Sequence, residues 1–128
     1  DPVRLVGAGE ADVVRWLDDS GLIRHRGKIE AMINNARRVM EAEGEFAGML
    51  WSFVEGVPQQ SSFRRSDEVP GETPTSVAMA KHLKKKGFRF VGPTICYAFM
   101  QSAGLVNDHL MSCDGFDRCS KLGAAWTL

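Results

Sequence analysis

The sequence lacks an excess of charge of either sign, because its 16 lysines and arginines are balanced by 16 aspartates and glutamates. Net charge therefore gives no reason to expect a polyanionic partner, and any such argument depends on where the charges lie. The sequence also has no secretory signal and no apolar run long enough to span a bilayer. No membrane association is expected, and 44% hydrophobic residues over 128 positions are ordinary for one globular domain.

Cysteine is scarce, and the three cysteines are an odd number: Cys96, Cys113 and Cys119. Without a secretory signal, this usage argues for a reducing intracellular compartment and against disulfides. The opening residues 1–3 include no initiator methionine. We therefore expect the sequence to be a truncated chain.

Apolar residues recur at helical spacing along most of the chain, and no segment alternates convincingly with a period of two. The sequence therefore predicts an all-α fold, a helical bundle with no sheet of more than two short strands. Glycine, proline and capping residues mark the helix boundaries. The predicted helices run from Glu10 to Asp19, from Ile29 to Glu43, from Phe46 to about Gly56, from Thr73-Pro74 to near Gly87, and from Pro93 to Gly104, with an exposed loop from Gln59 to Gly71.

The apolar faces of the helices from Ile29 and from Pro93 predict which of their side chains enter the core. Arg37 and Arg38 fall outside such a face and are expected to point into solvent. The first face comprises Ile29, Met32, Ile33, Ala36 and Met40. The second comprises Ile95, Phe99 and Ala103, with Cys96 and Met100 beside it.

The stretch from Lys84 to Asp108 reads as helix, hairpin, helix. Gly87 ends one helix, and a proline after Gly92 begins the next. The loop has a glycine at each end, Arg89 at its middle and three lysines just before it, so its backbone N–H groups and the next helix N-terminus can face an anion. A nucleic-acid phosphate is the natural candidate. An ordinary helix-to-helix turn beside solvated lysines explains the local pattern equally well.

A second pattern lies beyond Gly104, where Asn107 or Asp108 is expected to cap one more helical turn. That turn would place His109 and Cys113 four residues apart on one face, a spacing that can offer two ligands to zinc. A closed zinc site needs four ligands, however, and no second pair is evident nearby. From spacing alone, an accidental pair on a surface turn is the better interpretation.

Three separated blocks together resemble one protein family. They are GLIRHRGKI from Gly21, KKGFRFVGPTICY from Lys85 and QSAGLVNDH from Gln101. Over Asp1 to about Cys113, the chain closely resembles the DNA-3-methyladenine glycosylase I family of helix-hairpin-helix glycosylases. The resemblance implies an all-α bacterial repair enzyme that flips an alkylated adenine out of double-stranded DNA and hydrolyses its bond to deoxyribose.

The resemblance also assigns roles to residues of this chain. The family holds zinc on two cysteines and two histidines, and its C-terminal pair falls on His109 and Cys113, which favours zinc for these two after all. The family's other two ligands, its pocket glutamate and most of its pocket aromatics precede Asp1. No catalytic residue is therefore assigned here. Residues 1–128 are expected to be the C-terminal part of one glycosylase domain, with the hairpin at about 84–104 and no appreciable activity alone.

Gly87, Arg89, Gly92 and Thr94 are the expected DNA contacts, which position the backbone without reading sequence. Arg26 and Lys28 are weaker candidates, and Tyr97 either approaches the base pocket or packs in the core. A cytoplasmic monomer is expected. The alternatives are a non-catalytic helix-hairpin-helix DNA-binding module and an inactive structural remnant.

Overall fold

The computed structural model describes residues 1–127, which are mostly helical, so the predicted all-α class is confirmed. No helix in this range is long and apolar enough to cross a bilayer. The helices are α1 (Pro2–Leu5), α2 (Glu10–Asp18), α3 (Arg26–Glu41), α4 (Phe46–Trp51), α5 (Pro74–Lys85), α6 (Pro93–Ser102) and α7 (Asp114–Ala124), with short 3-10 turns at Ser52–Val54 and Ser66–Glu68. Two strands of two residues each, β1 (Gln59–Gln60) and β2 (Val106–Asn107), form a parallel pair.

The chain divides into two compact units. The first unit comprises Asp1–Phe46 and Leu83–Val91. The second comprises Ala47–His82 and the described residues from Gly92 onward. The stretch predicted to form the hairpin is divided between them, with residues up to Val91 in the first unit and those from Gly92 in the second, so each unit is described separately.

The first unit has a small apolar core between α2 and α3. Its buried members are Ala8, Val13, Ile29 and Ile33, with Trp16 and Leu17 packed against them. Arg37 is exposed, as predicted, and its guanidinium also donates to the carbonyls of Val6 (3.2 Å) and Ala8 (3.0 Å). These two bonds attach α3 to the segment that follows α1.

Helix α3 begins earlier than predicted. His25 caps it, since its Nδ1 accepts the Lys28 N–H at 3.2 Å, and the helix therefore includes Arg26 rather than starting at Ile29. Two methionines placed on its apolar face, Met32 and Met40, are 44% and 43% exposed. Ile29, Ile33 and Ala36 of that face are buried as predicted, and Ala31 is buried with them.

In the second unit, the start of α5 matches its prediction. Thr73 Oγ1 accepts the Ser76 N–H at 3.2 Å, and Ser76 Oγ accepts the Thr73 N–H at 2.9 Å, so the two residues cap the helix reciprocally before and after Pro74. Ser76 and Met79 are fully buried. The cap therefore lies at the edge of this unit's interior.

Helix α6 buries a different face from the one predicted. Cys96, Tyr97 and Met100 are buried, whereas Ile95 and Phe99 are 57% and 40% exposed. The two stripes are both apolar, so periodicity could not choose between them. The buried choice places the Tyr97 side chain in the interior of the second unit.

The short sheet joins distant parts of the second unit. Gln59 pairs with Val106 and Gln60 with Asn107. Beyond it, α7 was not predicted, although Asp114 and Asp117 in its first turn and Lys121 in its last complement the helix dipole. Glycines at both ends of this segment obscured the helical pattern.

Candidate functional site

The loop of residues 87–91, which belongs to the first unit, ends α5 as the sequence predicts. Gly87 has φ +85°, and its N–H donates to the Lys84 carbonyl at 3.0 Å. The Phe88 N–H donates to the Leu83 carbonyl, also at 3.0 Å. A Cβ at Gly87 would lie 3.3 Å from Arg38 Nε, so both backbone conformation and space favour glycine there.

Two asparagines of α3 hold the rest of this loop. Asn35 accepts the Arg89 N–H at Oδ1 and donates from Nδ2 to the Arg89 carbonyl, both at 2.9 Å. Asn34 donates to the Gly87 carbonyl at 2.9 Å. The expectation that the loop amides face an anion is therefore wrong for Gly87, Phe88 and Arg89, whose N–H groups have acceptors within the protein. Within residues 1–127, the N–H groups of Phe90 and Val91 have none.

The Arg89 side chain is exposed, and no acceptor in the described chain is bonded to its guanidinium. It borders a shallow cleft of about 310 Å³ that Glu10, Glu30 and Arg37 also line. Both glutamates bond Arg26, at 2.8 and 3.4 Å, so their charge is partly neutralised. Arg89 is thus a cation available to an anionic ligand.

The loop contacts the block GLIRHRGKI, which begins at Gly21. Phe90 has φ +56°, unusual for a side chain of its size, and its ring meets the His25 ring edge to face at 5.8 Å. Gly27 lies beneath this pair, where a Cβ would be 3.2 Å from the His25 ring. The structure therefore brings together two of the blocks that carry the family resemblance. Arg26 is engaged with Glu10 and Glu30, whereas Lys28 is exposed and has no ion pair.

The remaining expected DNA contacts belong to the second unit. Gly92 is the N-cap of α6 in extended conformation, and Pro93 is its first residue, as the sequence predicts. No side chain caps this N-terminus. Thr94 lies exposed in the first turn, where helix N–H groups point outward.

Tyr97 is committed to the interior of the second unit. Its hydroxyl donates to Asp108 Oδ2, and the same carboxylate accepts from Ser61 Oγ at 2.5 Å and from Gln101 Nε2 at 3.1 Å. Burial, and then the bond to Asp108, raise the pKa of Tyr97. Of the two interpretations, core packing is the one this geometry supports.

The predicted helical turn around His109 is absent. Asn107 belongs to β2, residues 108–110 are irregular, and Cys113 is the N-cap of α7. Asn107 is buried, and its Nδ2 is satisfied by acceptors on Gln60, Phe116 and Ser120, at 2.9 to 3.2 Å. These bonds orient its Oδ1 toward His109 Nδ1, 2.9 Å away.

This arrangement fixes the chemistry that His109 can offer. Because Asn107 Oδ1 is an acceptor, the neutral imidazole of His109 has its proton on Nδ1, and Nε2 is then the nitrogen with the lone pair. Gly115 packs against the ring, where a Cβ would stand 2.7 Å from Nε2. Imidazole Nε2 and the exposed Cys113 thiol are donors suited to zinc. No group of three or more potential metal ligands occurs within residues 1–127.

A cavity of about 190 Å³ in the second unit was not foreseen from the sequence. Trp51 and Trp126 stack beside it with ring centroids 4.7 Å apart, and His109 and Cys119 also line it. Trp51 ends α4, whereas Trp126 lies just beyond the end of α7. No local pattern could have paired them.

Comparison with known proteins agrees with the resemblance carried by these motifs. DNA-3-methyladenine glycosylase 1 of Escherichia coli K12 is 52% identical over 116 residues, which are 88% of this chain and 62% of that protein. A crystal structure of 3-methyladenine DNA glycosylase I, also 52% identical, superposes with a TM-score of 0.85 over 89% of this chain and 64% of its own. A tyrosine-to-phenylalanine variant of such an enzyme, in complex with 3-methyladenine, is 29% identical, with a TM-score of 0.84 over 91% of this chain and 64% of its own.

The chain thus spans a little under two thirds of the length of these relatives. A sequence model of the methyladenine glycosylase family matches residues 1–117. Since that match covers most of the sequence and the fold agrees, the chain belongs to the methyladenine glycosylase family.

Proposed function

We propose that this protein is a DNA glycosylase that hydrolyses the N-glycosidic bond of 3-methyladenine in alkylated double-stranded DNA. The observation that carries the proposal is the 52% identity, over 116 residues, to a relative that bears this name. The superposed structure in complex with 3-methyladenine supports the same substrate. We also propose that the protein acts as a monomer in the bacterial cytoplasm.

The chemistry suits a helical protein whose main task is binding. Methylation at the N3 ring nitrogen leaves the adenine positively charged, so the base leaves readily with the electrons of its bond to deoxyribose, and water completes the hydrolysis at the sugar. The protein therefore mainly has to extrude the base from the duplex and surround it. Strong acid catalysis is unnecessary.

The contribution of this chain would be to hold the DNA backbone. Arg89 presents a guanidinium with no protein acceptor, and the loop beside it presents the N–H groups of Phe90 and Val91. In the other unit, the uncapped start of α6 at Gly92 and Thr94 is equally suited to a phosphate. Such contacts position a helix-hairpin-helix protein on DNA without selecting a sequence.

A direct assay tests this function. Full-length protein is incubated with methylated duplex DNA, and free 3-methyladenine is separated and measured. We expect release that requires the alkylated substrate. The matched control is the same duplex without methylation.

The outcome also separates this function from a non-catalytic DNA-binding module. Tight duplex binding without release of the base would contradict the glycosylase proposal and support the module. Absence of both binding and release would contradict both.

We further propose that His109 and Cys113 supply two of the four ligands of a structural zinc ion. The donor set, the free lone pair on His109 Nε2 and the close fit of Gly115 against the ring support this assignment. The family resemblance assigns the other two ligands to residues outside this sequence. Bound zinc would supply cross-linking of distant segments rather than reactivity.

A further inference from the structure

Asn35 contacts the 87–91 loop in an unusual way. From the middle of α3 it pairs with both backbone groups of Arg89, which lies 54 residues later, at 2.9 Å each. The carboxamide offers a donor and an acceptor side by side, as a neighbouring strand would. An aspartate could accept the N–H but could not donate to the carbonyl.

A second asparagine fixes the orientation of this carboxamide. Asn34 Nδ2 donates to Asn35 Oδ1 at 3.1 Å and to the Gly87 carbonyl at 2.9 Å. Asn35 Oδ1 therefore accepts from two donors, and its Nδ2 is left to donate to Arg89. Both asparagines are half-buried, which limits competition from water.

The loop needs this support. Its own bonds to α5 end at Phe88, and the next residues include Phe90 at φ +56°, a backbone conformation that a bulky side chain rarely adopts. Beyond Phe88, the contacts that hold the loop are those of Asn35 with Arg89 and of His25 with Phe90. Without Asn35, the loop would sample other conformations.

We infer that Asn35 is a positioning residue for DNA binding. By occupying both backbone groups of Arg89, it turns this peptide toward α3 and leaves the Arg89 guanidinium and the N–H groups of Phe90 and Val91 for a backbone phosphate. The inference rests on the proposed DNA-binding function. It assigns part of that function to a side chain that itself touches no DNA.

The size of the effect follows from the population of the competent loop. Apparent affinity falls by the fraction of molecules in which the loop is correctly placed. Losing two hydrogen bonds that hold a strained loop is expected to lower that fraction, and hence duplex affinity, by roughly tenfold. Binding of the free base should not change, because it needs no phosphate contact.

The test uses full-length protein and a fluorescein-labelled duplex containing a tetrahydrofuran abasic-site analogue. Anisotropy titrations over a range of KCl concentrations compare the wild type with Asn35→Ala, Asn35→Asp and Asn34→Ala. We expect about tenfold weaker binding for Asn35→Ala, no rescue by Asn35→Asp, and a smaller loss for Asn34→Ala. Met40→Ala, an exposed change on the same helix, is the matched control and should bind as the wild type does.

Hydrogen exchange at the Arg89 amide gives a readout that general destabilisation would not reproduce. Protection should be lost in Asn35→Ala and partly retained in Asn35→Asp, while amides in the core of α3 stay protected. Wild-type duplex affinity in a folded Asn35→Ala protein would overturn the inference. If Asn35→Ala does not fold, Asn35→Asp is used in its place, and wild-type duplex affinity of that variant would also overturn the inference.

The proposed function and this inference fail in different ways. Wild-type protein that releases no 3-methyladenine and does not bind the free base contradicts the glycosylase function. An active wild type whose Asn35 variants bind duplex normally contradicts only the role of Asn35.

Discussion

Asp108 accepts hydrogen bonds from three side chains of the second unit: Ser61, Tyr97 and Gln101. Hydrogen bonds to a charged group contribute about 1.5–3 kcal/mol each when well formed. Because one donor lies near β1 and the other two lie on α6, the carboxylate joins these elements. The network fixes α6 in the rotation that buries Tyr97.

This network predicts an unusual titration of Tyr97, the one tyrosine in the sequence. Its pKa is raised in the folded protein, by burial first and then by Asp108. The neutral phenol therefore adds stability that is fully present below the unfolded pKa of about 10 and is lost as pH rises above it. Tyrosinate absorbance of the folded chain should appear at a higher pH than that of the chain in denaturant.

The control for this titration is Tyr97→Phe. It should give no tyrosinate signal and should lack the part of the alkaline loss of unfolding free energy that this group causes. A folded wild type that titrates near pH 10 would show that the Tyr97 hydroxyl is not held as described.

Gly115 gives a second prediction, for the proposed zinc site. A Cβ at this position would stand 2.5 Å from His109 Cδ2 and 2.7 Å from Nε2. Gly115→Ala must therefore displace the imidazole, and we expect at least tenfold weaker zinc binding by the full-length protein. Competition with a chromophoric chelator measures this, and Cys113→Ser should weaken binding as well.

Gly48→Ala is the matched control, since a Cβ there meets nothing within 4 Å. Its zinc affinity should equal that of the wild type. Undiminished, tightly held zinc in both Gly115→Ala and Cys113→Ser would mean that the metal is held elsewhere.

The connection between α5 and α6 gives a prediction about DNA affinity. Arg89→Ala removes one unpaired cation but leaves the backbone bonds to Asn35 in place. Binding should weaken alike for all duplex sequences, and the slope of log affinity against log salt should flatten by up to about one phosphate's worth. The lesion that is excised should stay the same.

Titration of duplex binding at several salt concentrations checks the role of Arg89. Lys121→Ala, in the last turn of α7, provides a comparison in which a cation is removed elsewhere. An Arg89→Ala protein with unchanged affinity at both low and high salt would exclude this side chain as a phosphate contact.

Some elements could be predicted because their signals are local. The end of α5 at Gly87 and the starts at Pro74 and Pro93 follow from the conformational limits of glycine and proline. The buried face of α6 could not be predicted, since Ile95 and Phe99 are as apolar as the residues that the structure buries. Which of two apolar faces a helix buries depends on the residues it packs against, and these residues lie elsewhere in the chain.

The candidate site likewise has features that the local sequence predicts and others that it does not. Its residue types and the approximate place of the loop were evident from the sequence, but the acceptor for the Arg89 N–H is a side chain 54 residues earlier. The local sequence predicts Asn107 or Asp108 as a helix cap, whereas Asn107 lies in β2 and bonds Gln60, 47 residues earlier. Contacts of this separation leave no periodic trace, so the occupied amide of Arg89 could be identified only in three dimensions.

Over the molecule as a whole, positive and negative charges balance, but arginines and lysines differ in whether they form ion pairs. The ion pairs among residues 1–127 all use arginine: Arg15, Arg26, Arg38 and Arg65. The lysines just before the 87–91 loop are exposed and unpaired. A neutral protein can therefore present local positive potential and attract a polyanion at a rate that depends on ionic strength.

The pairing of β1 with β2 has a consequence for how the chain folds. Bringing Gln60 to Asn107 closes a loop of 47 residues, which costs about 3 kcal/mol of chain entropy before any contact repays it. The helices need only neighbouring residues to form, so this pairing belongs late in folding. The orientation of His109 depends on Asn107 and would be set at that late stage. A newly made chain would therefore acquire most of its helices before it could present His109 correctly to a metal.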